Sequence, residues 1–281
     1  MNRSDVGVLL EPRDRLGEGP VWDAREGVLW WTDIEGERIH RARADGGAHQ
    51  TFDLGLAVGA IGLCQGEGLV LATSQGFARW REGRLELLAK ALPEDAARFN
   101  DGIVDPLGRF WAGSLGGQDN SLFVLDGESV TRFESGFGQP NGMGFSPDER
   151  TFYFTDSEAK TIYAYDFDPA TGEAENRRAL IVTQNEDGVP DGLTVDAEGF
   201  LWSARWGGWK LARYDPAGWL ERVVELPVAQ PTSCAFGGEG LATLFVTSAR
   251  QGLEQPEAGS LLALSPGVKG KLEYRFEEVG P

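Results

Sequence analysis

Short apolar and aromatic runs alternate with turn-rich stretches along the whole chain. The runs include "VLWWTD", "LVLATS", "RFWAGS", "TFYFTD", "FLWSAR" and "TLFVTS", and stretches such as "DAREG", "DPLG", "SPDER" and "DAEG" precede several of them. Short segments rich in β-branched and aromatic residues are typical of strands, and no long stretch shows the helical period. The pattern therefore predicts an all-β protein.

The strand-like runs recur at a nearly constant interval. Consecutive units are spaced by 41, 40, 42, 49 and 43 residues. The positions that open them are Gly27, Gly68, Gly108, Arg150, Gly199 and Ala242. Each unit holds two strand-like runs around a tight turn, as in "GLTVDAEGFLWSAR", and further strands such as "TIYAYDFD" follow. Four short antiparallel strands in about 40 to 45 residues are typical of a propeller blade.

We therefore predict a single six-bladed β-propeller domain over residues 1–281, with four antiparallel strands per blade. The ring of blades must close, and either end of the chain can supply the closing strand. The N-terminal candidate is "VGVLLEP" and the C-terminal candidate is "LEYRFEEV".

Composition excludes several classes of partner. The net charge is −18, which repels nucleic acid, and no segment reaches the roughly 18 apolar residues of a membrane span.

The N-terminal "MNRSDVGVLLEPRD" lacks the apolar stretch of a signal peptide. Cys64 and Cys234 lie in separate apolar runs, which favours buried free thiols over a disulfide. We expect a cytoplasmic protein, either a monomer or a small homo-oligomer, without nucleic-acid or membrane partners.

One position in each unit falls eight or nine residues before the opening residue. In a propeller, the first strand of every blade lines the central channel, so these positions form one ring at one mouth of the channel. Four of the six carry a carboxylate or an amide. The six residues are Glu18, Ala60, Asn100, Asn141, Asp191 and Ser233.

Two interpretations of this ring remain open. Polar side chains in a wet channel can simply be solvated by water. Alternatively, the ring holds a hard divalent cation, which prefers carboxylate and amide oxygens. In that case Glu18, Asn141 and Asp191 bind the metal and Asn100 lies beside it. A glycine follows each of the three predicted ligands, which permits close backbone approach around a small site.

Other kinds of catalytic site find little support. The only two histidines, His40 and His49, fall in the predicted outer strands of the first blade. A Ser-His-Asp triad or a His-rich zinc site would need a histidine at the channel mouth. Asp101 follows Asn100 in the same strand, so its side chain should point the other way and take a structural role.

Nearly the whole chain, from residue 16 to about residue 250, carries motifs of one known family. The motifs are "LGEGPVW", "RFNDGIVDPLGRFWAGS", "QPNGMGFSPDERTFYFTDS", "VPDGLTVDAEGFLWSARWGG" and "PTSCAFGG" with "LFVTSAR". With these motifs the chain resembles the gluconolactonase/regucalcin family of six-bladed propellers.

The resemblance implies hydrolysis of a sugar lactone with the help of one divalent metal ion. By motif position it implies that Glu18, Asn141 and Asp191 ligate the metal and that Asp191 is also the general acid/base. It implies substrate contacts from Arg98 and Asn100. The alternative for Arg98 is a solvated surface side chain.

The third blade departs from the family pattern. Relatives often carry a longer loop there, sometimes with an acid that contacts substrate. Here "GSLGGQDNSLF" is short and Asp119 is its only acid, so that contact does not carry over directly. Loops after the second strand of each blade should surround the site. Trp206 and Trp209 lie on the fifth of these loops, where a tryptophan either stacks on a sugar or packs between blades.

Three functions are therefore compared. The first is a lactonase for an aldonolactone similar to gluconolactone, xylonolactone or arabinonolactone. The second is a metal-dependent hydrolase of other esters or of organophosphates, and the third is a non-catalytic interaction propeller. A pure interaction module has no need for oxygen ligands at matching positions, which argues against the third. The sequence does not distinguish Ca, Zn, Mn, Mg and Fe as the metal.

Overall fold

The computed structural model describes residues 6–184 and 188–278. Residues 1–5, 185–187 and 279–281, which belong to the predicted 1–281 domain, lie outside the described residues. The strands in chain order are β1 (Val6–Leu10), β2 (Gly17–Asp23), β3 (Val28–Asp33), β4 (Arg38–Arg43), β5 (Gln50–Asp53), β6 (Val58–Cys64), β7 (Leu69–Thr73), β8 (Gly76–Arg81), β9 (Arg84–Ala89), β10 (Arg98–Val104), β11 (Phe110–Leu115), β12 (Asn120–Asp126), β13 (Ser129–Phe137), β14 (Pro140–Phe145), β15 (Thr151–Asp156), β16 (Thr161–Phe167), β17 (Ala174–Val182), β18 (Val189–Val195), β19 (Leu201–Trp206), β20 (Lys210–Tyr214), β21 (Leu220–Glu225), β22 (Pro231–Gly237), β23 (Thr243–Ser248), β24 (Leu261–Leu264) and β25 (Arg275–Phe276).

These strands form six antiparallel four-stranded blades, which confirms the predicted all-β six-bladed propeller. Blades 1 to 5 begin at β2, β6, β10, β14 and β18, and each runs through four consecutive strands. The helical structure in the described part of the chain is one 3-10 turn, Glu239–Leu241. None of the described residues forms a helix with the length and apolar character needed to cross a membrane.

The N-terminal strand closes the ring. Blade 6 has the order β22, β23, β24 and β1, and its outer pair is antiparallel with Val6 opposite Leu264. The C-terminal strand β25 instead pairs in parallel with β6, the inner strand of blade 2, and places Arg275 opposite Leu63. The sequence had left open which terminus would supply the closing strand.

The core lies between neighbouring blades. Blades 2 and 3, for example, share an aromatic cluster in which the Phe77 and Phe99 ring centroids are 4.6 Å apart. Cys64 and Cys234 are both buried and free, as predicted. Burial raises the pKa of the Cys64 thiol to about 12, so this thiol stays protonated at neutral pH.

Every inner strand carries an irregularity at the same level of the channel. A β-bulge breaks strand register and re-aims the side chains beside it. The six register shifts lie between Glu18 and Val21, Val58 and Ala60, Phe99 and Gly102, Pro140 and Met143, Pro190 and Leu193, and Pro231 and Cys234. The repeated bulge therefore coincides with, or directly adjoins, the positions that the sequence placed in one ring.

Glycines in this layer allow the inner strands to approach closely. A Cβ atom added at Gly142 would lie 2.4 Å from the amide nitrogen of Leu193 and 2.6 Å from the carbonyl oxygen of Asp191. Such distances leave no room for a side chain. The close approach brings β14, which carries Asn141, directly against β18, which carries Asp191.

Candidate functional site

A cavity of about 380 Å³ opens at one mouth of the channel. It collects the three predicted metal ligands, the two predicted substrate contacts and one predicted rim residue. Its lining residues are Leu16, Glu18, Glu35, Arg98, Asn100, Gln139, Asn141, Ser157, Val189, Asp191, Trp206 and Gln251. Residues that are distant in sequence therefore share one site, because the blades are arranged around a common axis.

Two buried carboxyl groups lie at this mouth. Glu18 belongs to β2 and Asp191 to β18, and their residues are 5% and 6% exposed. Burial raises the pKa of Glu18 well above its ordinary value, and the negative charges of Asp191 and Asp101 raise it further. Burial also raises the pKa of Asp191 well above its ordinary value, followed by repulsion from Asp101, whereas Asn141 and Arg98 lower it. A positive charge between the two carboxyl groups would relieve this cost.

Asn141 presents a carbonyl oxygen without a partner. Its Nδ2 donates to Ser157 Oγ at 3.0 Å, and Ser157 Oγ donates to the carbonyl oxygen of Pro190 at 2.6 Å. This chain of hydrogen bonds fixes the orientation of the amide. Asn141 Oδ1 is buried and accepts no hydrogen bond from any described residue. An unpaired buried oxygen is costly unless a ligand occupies the space beside it.

The donor set fits a hard divalent cation. It combines two carboxylates with one amide oxygen, and hard cations prefer such oxygen ligands with water completing the shell. Among residues 6–184 and 188–278, no three His, Cys, Asp or Glu residues come together as a metal site. The unpaired Asn141 oxygen is an additional oxygen donor beside the two carboxyl groups.

Arg98 and Asn100 form one hydrogen-bonded unit on β10. Arg98 Nη1 donates to Asn100 Oδ1 at 2.6 Å and to the carbonyl oxygen of Phe99 at 3.0 Å. Asn100 Nδ2 donates to the carbonyl oxygen of Pro140 in blade 4 at 2.7 Å. Burial lowers the pKa of Arg98, whereas the charges of Glu18, Glu35 and Asp191 raise it. Arg98 thus contributes a fixed cation to the cavity wall.

Asp101 does not line this cavity. It lines a separate space of about 60 Å³ deeper in the channel, together with Lys271 and Glu273. This placement agrees with the expectation that Asn100 and Asp101 point in different directions. Burial raises the pKa of Asp101 to about 7.

The loops after the second strands of blades 1, 4 and 6 and the end of the second strand of blade 5 line the mouth, whereas the corresponding loops of blades 2 and 3 contribute no lining residue. Trp206 lines the cavity and also packs against the cluster of Leu16 and Ile34, and its stacking on a sugar stays a prediction. Trp209 is 39% exposed and lies outside the lining set. The third-blade loop contributes no lining residue, and Asp119 is therefore outside the cavity wall.

That third-blade loop is held away from the cavity by its own hydrogen bonds. The amide of Gln118 donates to Asp95 Oδ2 at 2.9 Å, and the amide of Gly117 donates to Asn120 Oδ1 at 3.2 Å. A substrate contact from Asp119 has no support in this arrangement and stays a prediction.

Six lining residues were not singled out from the sequence. Three of them, Glu35, Ser157 and Gln251, follow second strands, and the rule that these loops surround the site was the signal that could have found them. The other three precede or begin inner strands. The complete set is Leu16, Glu35, Gln139, Ser157, Val189 and Gln251.

Comparison with known proteins decides the family. Residues 16–250 match the family model described as the SMP-30/gluconolactonase/LRE-like region. The chain belongs to this family. It is 39% identical to the pentonolactonase XacC of Haloferax volcanii over 97% of this chain and 98% of that protein. It is 35% identical to regucalcin of Gallus gallus over 98% of this chain and 99% of that protein.

Solved structures agree in fold. A calcium-binding regucalcin of Agrobacterium tumefaciens superposes with a TM-score of 0.92 at 30% identity, covering 98% of both chains. A gluconolactonase of Xanthomonas campestris superposes with a TM-score of 0.78 over 92% of this chain and 89% of that chain. At 24% identity, this second likeness concerns the fold alone.

Proposed function

We propose that the protein is a divalent-metal-dependent sugar lactonase that hydrolyses an aldonolactone to the aldonic acid. The observation that carries the proposal is the convergence of Glu18, Asp191 and the unpaired Asn141 oxygen on one cavity beside the Arg98 guanidinium. The family model, whose description includes gluconolactonase, and the name of the pentonolactonase relative support the choice of substrate class.

The proposed roles follow from the position of each side chain. Glu18, Asn141 and Asp191 hold the metal ion, which when bound polarises the lactone carbonyl toward attack. Arg98, fixed by Asn100, contributes positive charge to the wall where negative charge develops on the substrate. The Arg98 guanidinium also donates hydrogen bonds to the substrate's oxygen atoms.

Asp191 is the proposed general acid/base. Its carboxylate removes a proton from the attacking water as the water oxygen bonds to the carbonyl carbon. The bond from that carbon to the ring oxygen then breaks, and the same proton passes to the ring oxygen. One water molecule is consumed, and one carboxylic acid and one hydroxyl group are formed.

The decisive experiment measures acid release in a pH-stat from D-xylono-1,4-lactone and D-glucono-1,5-lactone. We expect turnover with added divalent metal and loss of turnover in excess chelator, restored by adding the metal back. Comparison of Ca, Mg, Mn, Zn and Fe(II) identifies the metal. A phosphotriester assayed in parallel tests the second candidate reaction. Full lactonase activity in protein shown to be free of metal would contradict the proposal.

A further inference from the structure

We propose that Glu35, held by Gln251, binds substrate hydroxyl groups and makes the site selective for polyhydroxylated lactones over unsubstituted ones. This inference rests on the proposed lactonase function and deepens it. Glu35 lies in the turn between β3 and β4 of blade 1, and Gln251 follows β23 of blade 6. Both line the cavity above the predicted metal ligands.

Among the residues that the structure describes, Glu35 is the one acidic side chain in the cavity lining apart from the two carboxyl groups assigned to the metal. Its charge acts on Arg98, whose pKa it raises, so the two side chains share the same pocket. Gln251 Nε2 donates to Glu35 Oε1. Gln251 is anchored in turn, because its carbonyl oxygen accepts a hydrogen bond from Gln230 Nε2 at 3.2 Å.

The turn that carries Glu35 is rigidly attached to the rest of blade 1. Asp33, which is fully buried, accepts hydrogen bonds from the amides of Leu16 at 3.0 Å and Gly36 at 3.1 Å. Its other oxygen pairs with Arg38 at 2.8 Å. The backbone at Glu35 is therefore fixed, and the hydrogen bond from Gln251 limits the freedom of its exposed side chain, which reduces the entropy lost when it binds a ligand.

Carboxylate chemistry selects hydroxyl groups. An ionised carboxylate only accepts hydrogen bonds and has about four acceptor positions, of which Gln251 uses one. An aldonolactone is uncharged and carries several hydroxyl donors, whereas an unsubstituted lactone carries none. A lactone without hydroxyl groups would cover the carboxylate without pairing it, which is unfavourable.

The positions of the other loops around the mouth support this role for Glu35. The third-blade loop is tied to Asp95 and adds no lining residue, so no acid reaches the cavity from that side. Glu35 approaches from blade 1, which brackets the mouth together with blade 6. The substrate's hydroxyl groups then lie between this carboxylate and the amide and guanidinium groups of blade 3.

The test compares Glu35→Gln with wild type, both saturated with metal, on D-xylono-1,4-lactone and on γ-butyrolactone. We expect kcat/KM for xylonolactone to fall about ten-fold or more, the usual size of a charge-assisted hydrogen bond. We expect kcat/KM for γ-butyrolactone to change less than about two-fold. Glu37→Gln is the matched control, since it removes the same charge two residues away, outside the cavity lining, and should leave both values unchanged.

A second readout does not depend on turnover. Calorimetric titration of the metal-loaded protein with xylitol should show binding that weakens about ten-fold in Glu35→Gln and stays unchanged in Glu37→Gln. Equal losses on both lactones, no loss on xylonolactone, or failure of wild type to bind xylitol would each overturn the inference. Failure of the proposed function has a different signature, namely no wild-type turnover of either lactone at any metal concentration.

Discussion

At the scale of single residues, the site brings together two carboxyl groups, Glu18 and Asp191, whose charged forms are unfavourable in their buried surroundings. The pKa values of Glu18 and Asp191 are both raised, by burial first and by neighbouring negative charge second. Neutralising a buried carboxylate is one way to lower this cost, and binding a cation is the other. The unpaired oxygen of Asn141 favours the second solution.

This arrangement predicts that metal binding releases protons. Without metal, the raised pKa values mean that Glu18 and Asp191 keep their protons to higher pH than free carboxyl groups do, whereas ligation needs both deprotonated. Metal affinity should therefore rise with pH until both are ionised and fall as pH decreases. Calorimetry in two buffers of different ionisation enthalpy measures the released protons. An affinity that is constant between pH 5 and pH 8 would contradict this expectation.

Glu18 should also affect stability in opposite directions with and without bound metal. A carboxyl group whose pKa is higher in the folded than in the unfolded state reduces stability as pH rises between the two values. In chelator at pH 7.5, Glu18→Gln should therefore raise Tm relative to wild type. With saturating metal it should lower Tm, because a charged ligand has been lost. Thermal unfolding with and without metal checks both signs, and equal shifts in the two conditions would be inconsistent with metal ligation by Glu18.

Asp191 is predicted to act both as ligand and as base. Asp191→Asn keeps an oxygen for the metal but removes the proton acceptor, so kcat at saturating metal should fall about a hundred-fold or more. Glu18→Gln is the matched control, because it weakens the metal site without touching the base, and its kcat should recover once metal saturates. Metal occupancy and kcat must be measured on the same preparations. Recovery of kcat in Asp191→Asn would assign the base elsewhere.

At the scale of elements, the inner strands decide where the site residues point. Each bulge adds an irregularity at the same level, and glycine allows neighbouring inner strands to come together at that level. Gly142→Ala would place a Cβ 2.4 Å from the backbone nitrogen of Leu193, so β14 and β18 must separate. Asn141 and Asp191 would then lie farther apart.

We therefore expect Gly142→Ala to weaken metal binding and to lower the free energy of unfolding by about 1 to 3 kcal/mol, the usual cost of core overpacking, with a corresponding fall in Tm. Gly7→Ala in β1 is the control, since its nearest neighbour would be the carbonyl oxygen of Ala263 at 3.9 Å. Metal titration and thermal unfolding of both variants make the comparison. A Gly142→Ala protein with unchanged metal affinity would show that the close approach of the strands is not needed for the site.

The sequence predicted the strands and blades better than the contacts between parts of the chain that are distant in sequence. Repeat spacing was enough for the blades and for the ring of Glu18, Asn100, Asn141 and Asp191, because each repeat folds in the same local way. Glu35 and Gln251 come from turns whose sequences do not repeat between blades. Their contribution depends on how far each loop reaches over the mouth, which only the assembled ring determines. The closing strand was open for the same reason, since it depends on pairing between the two ends of the chain.

At the scale of the whole molecule, the C-terminal segment from Lys269 to Glu278 crosses the end of the channel opposite the site. Six of its interactions reach all six blades. They connect Arg275 to Asp23 in blade 1, Arg275 to the Cys64 carbonyl in blade 2, Glu277 to Gly108 in blade 3, Tyr274 to Glu149 in blade 4, Lys269 to Ala197 in blade 5 and Gly270 to Leu241 in blade 6. The segment therefore ties together a ring that β1 closes on its outer edge.

Arg275 contacts two blades at once, so its substitution tests whether the C-terminal segment stabilises the ring. Its Nη1 donates to the Cys64 carbonyl oxygen at 2.9 Å, and its Nη2 pairs with Asp23, with side chains 11% and 9% exposed. Arg275→Ala leaves Asp23 without this partner and should cost about 2 kcal/mol, or ~3 °C in Tm for a chain of this size. Because the change lies at the far end of the channel, kcat should stay at the wild-type value at temperatures well below Tm. Arg84→Ala, on an exposed strand, is the control and should change neither quantity. A wild-type Tm for Arg275→Ala would mean that the Arg275 contacts do not hold the ring together. A large loss of kcat with little loss of Tm would mean that the segment acts on the site rather than on the stability of the ring.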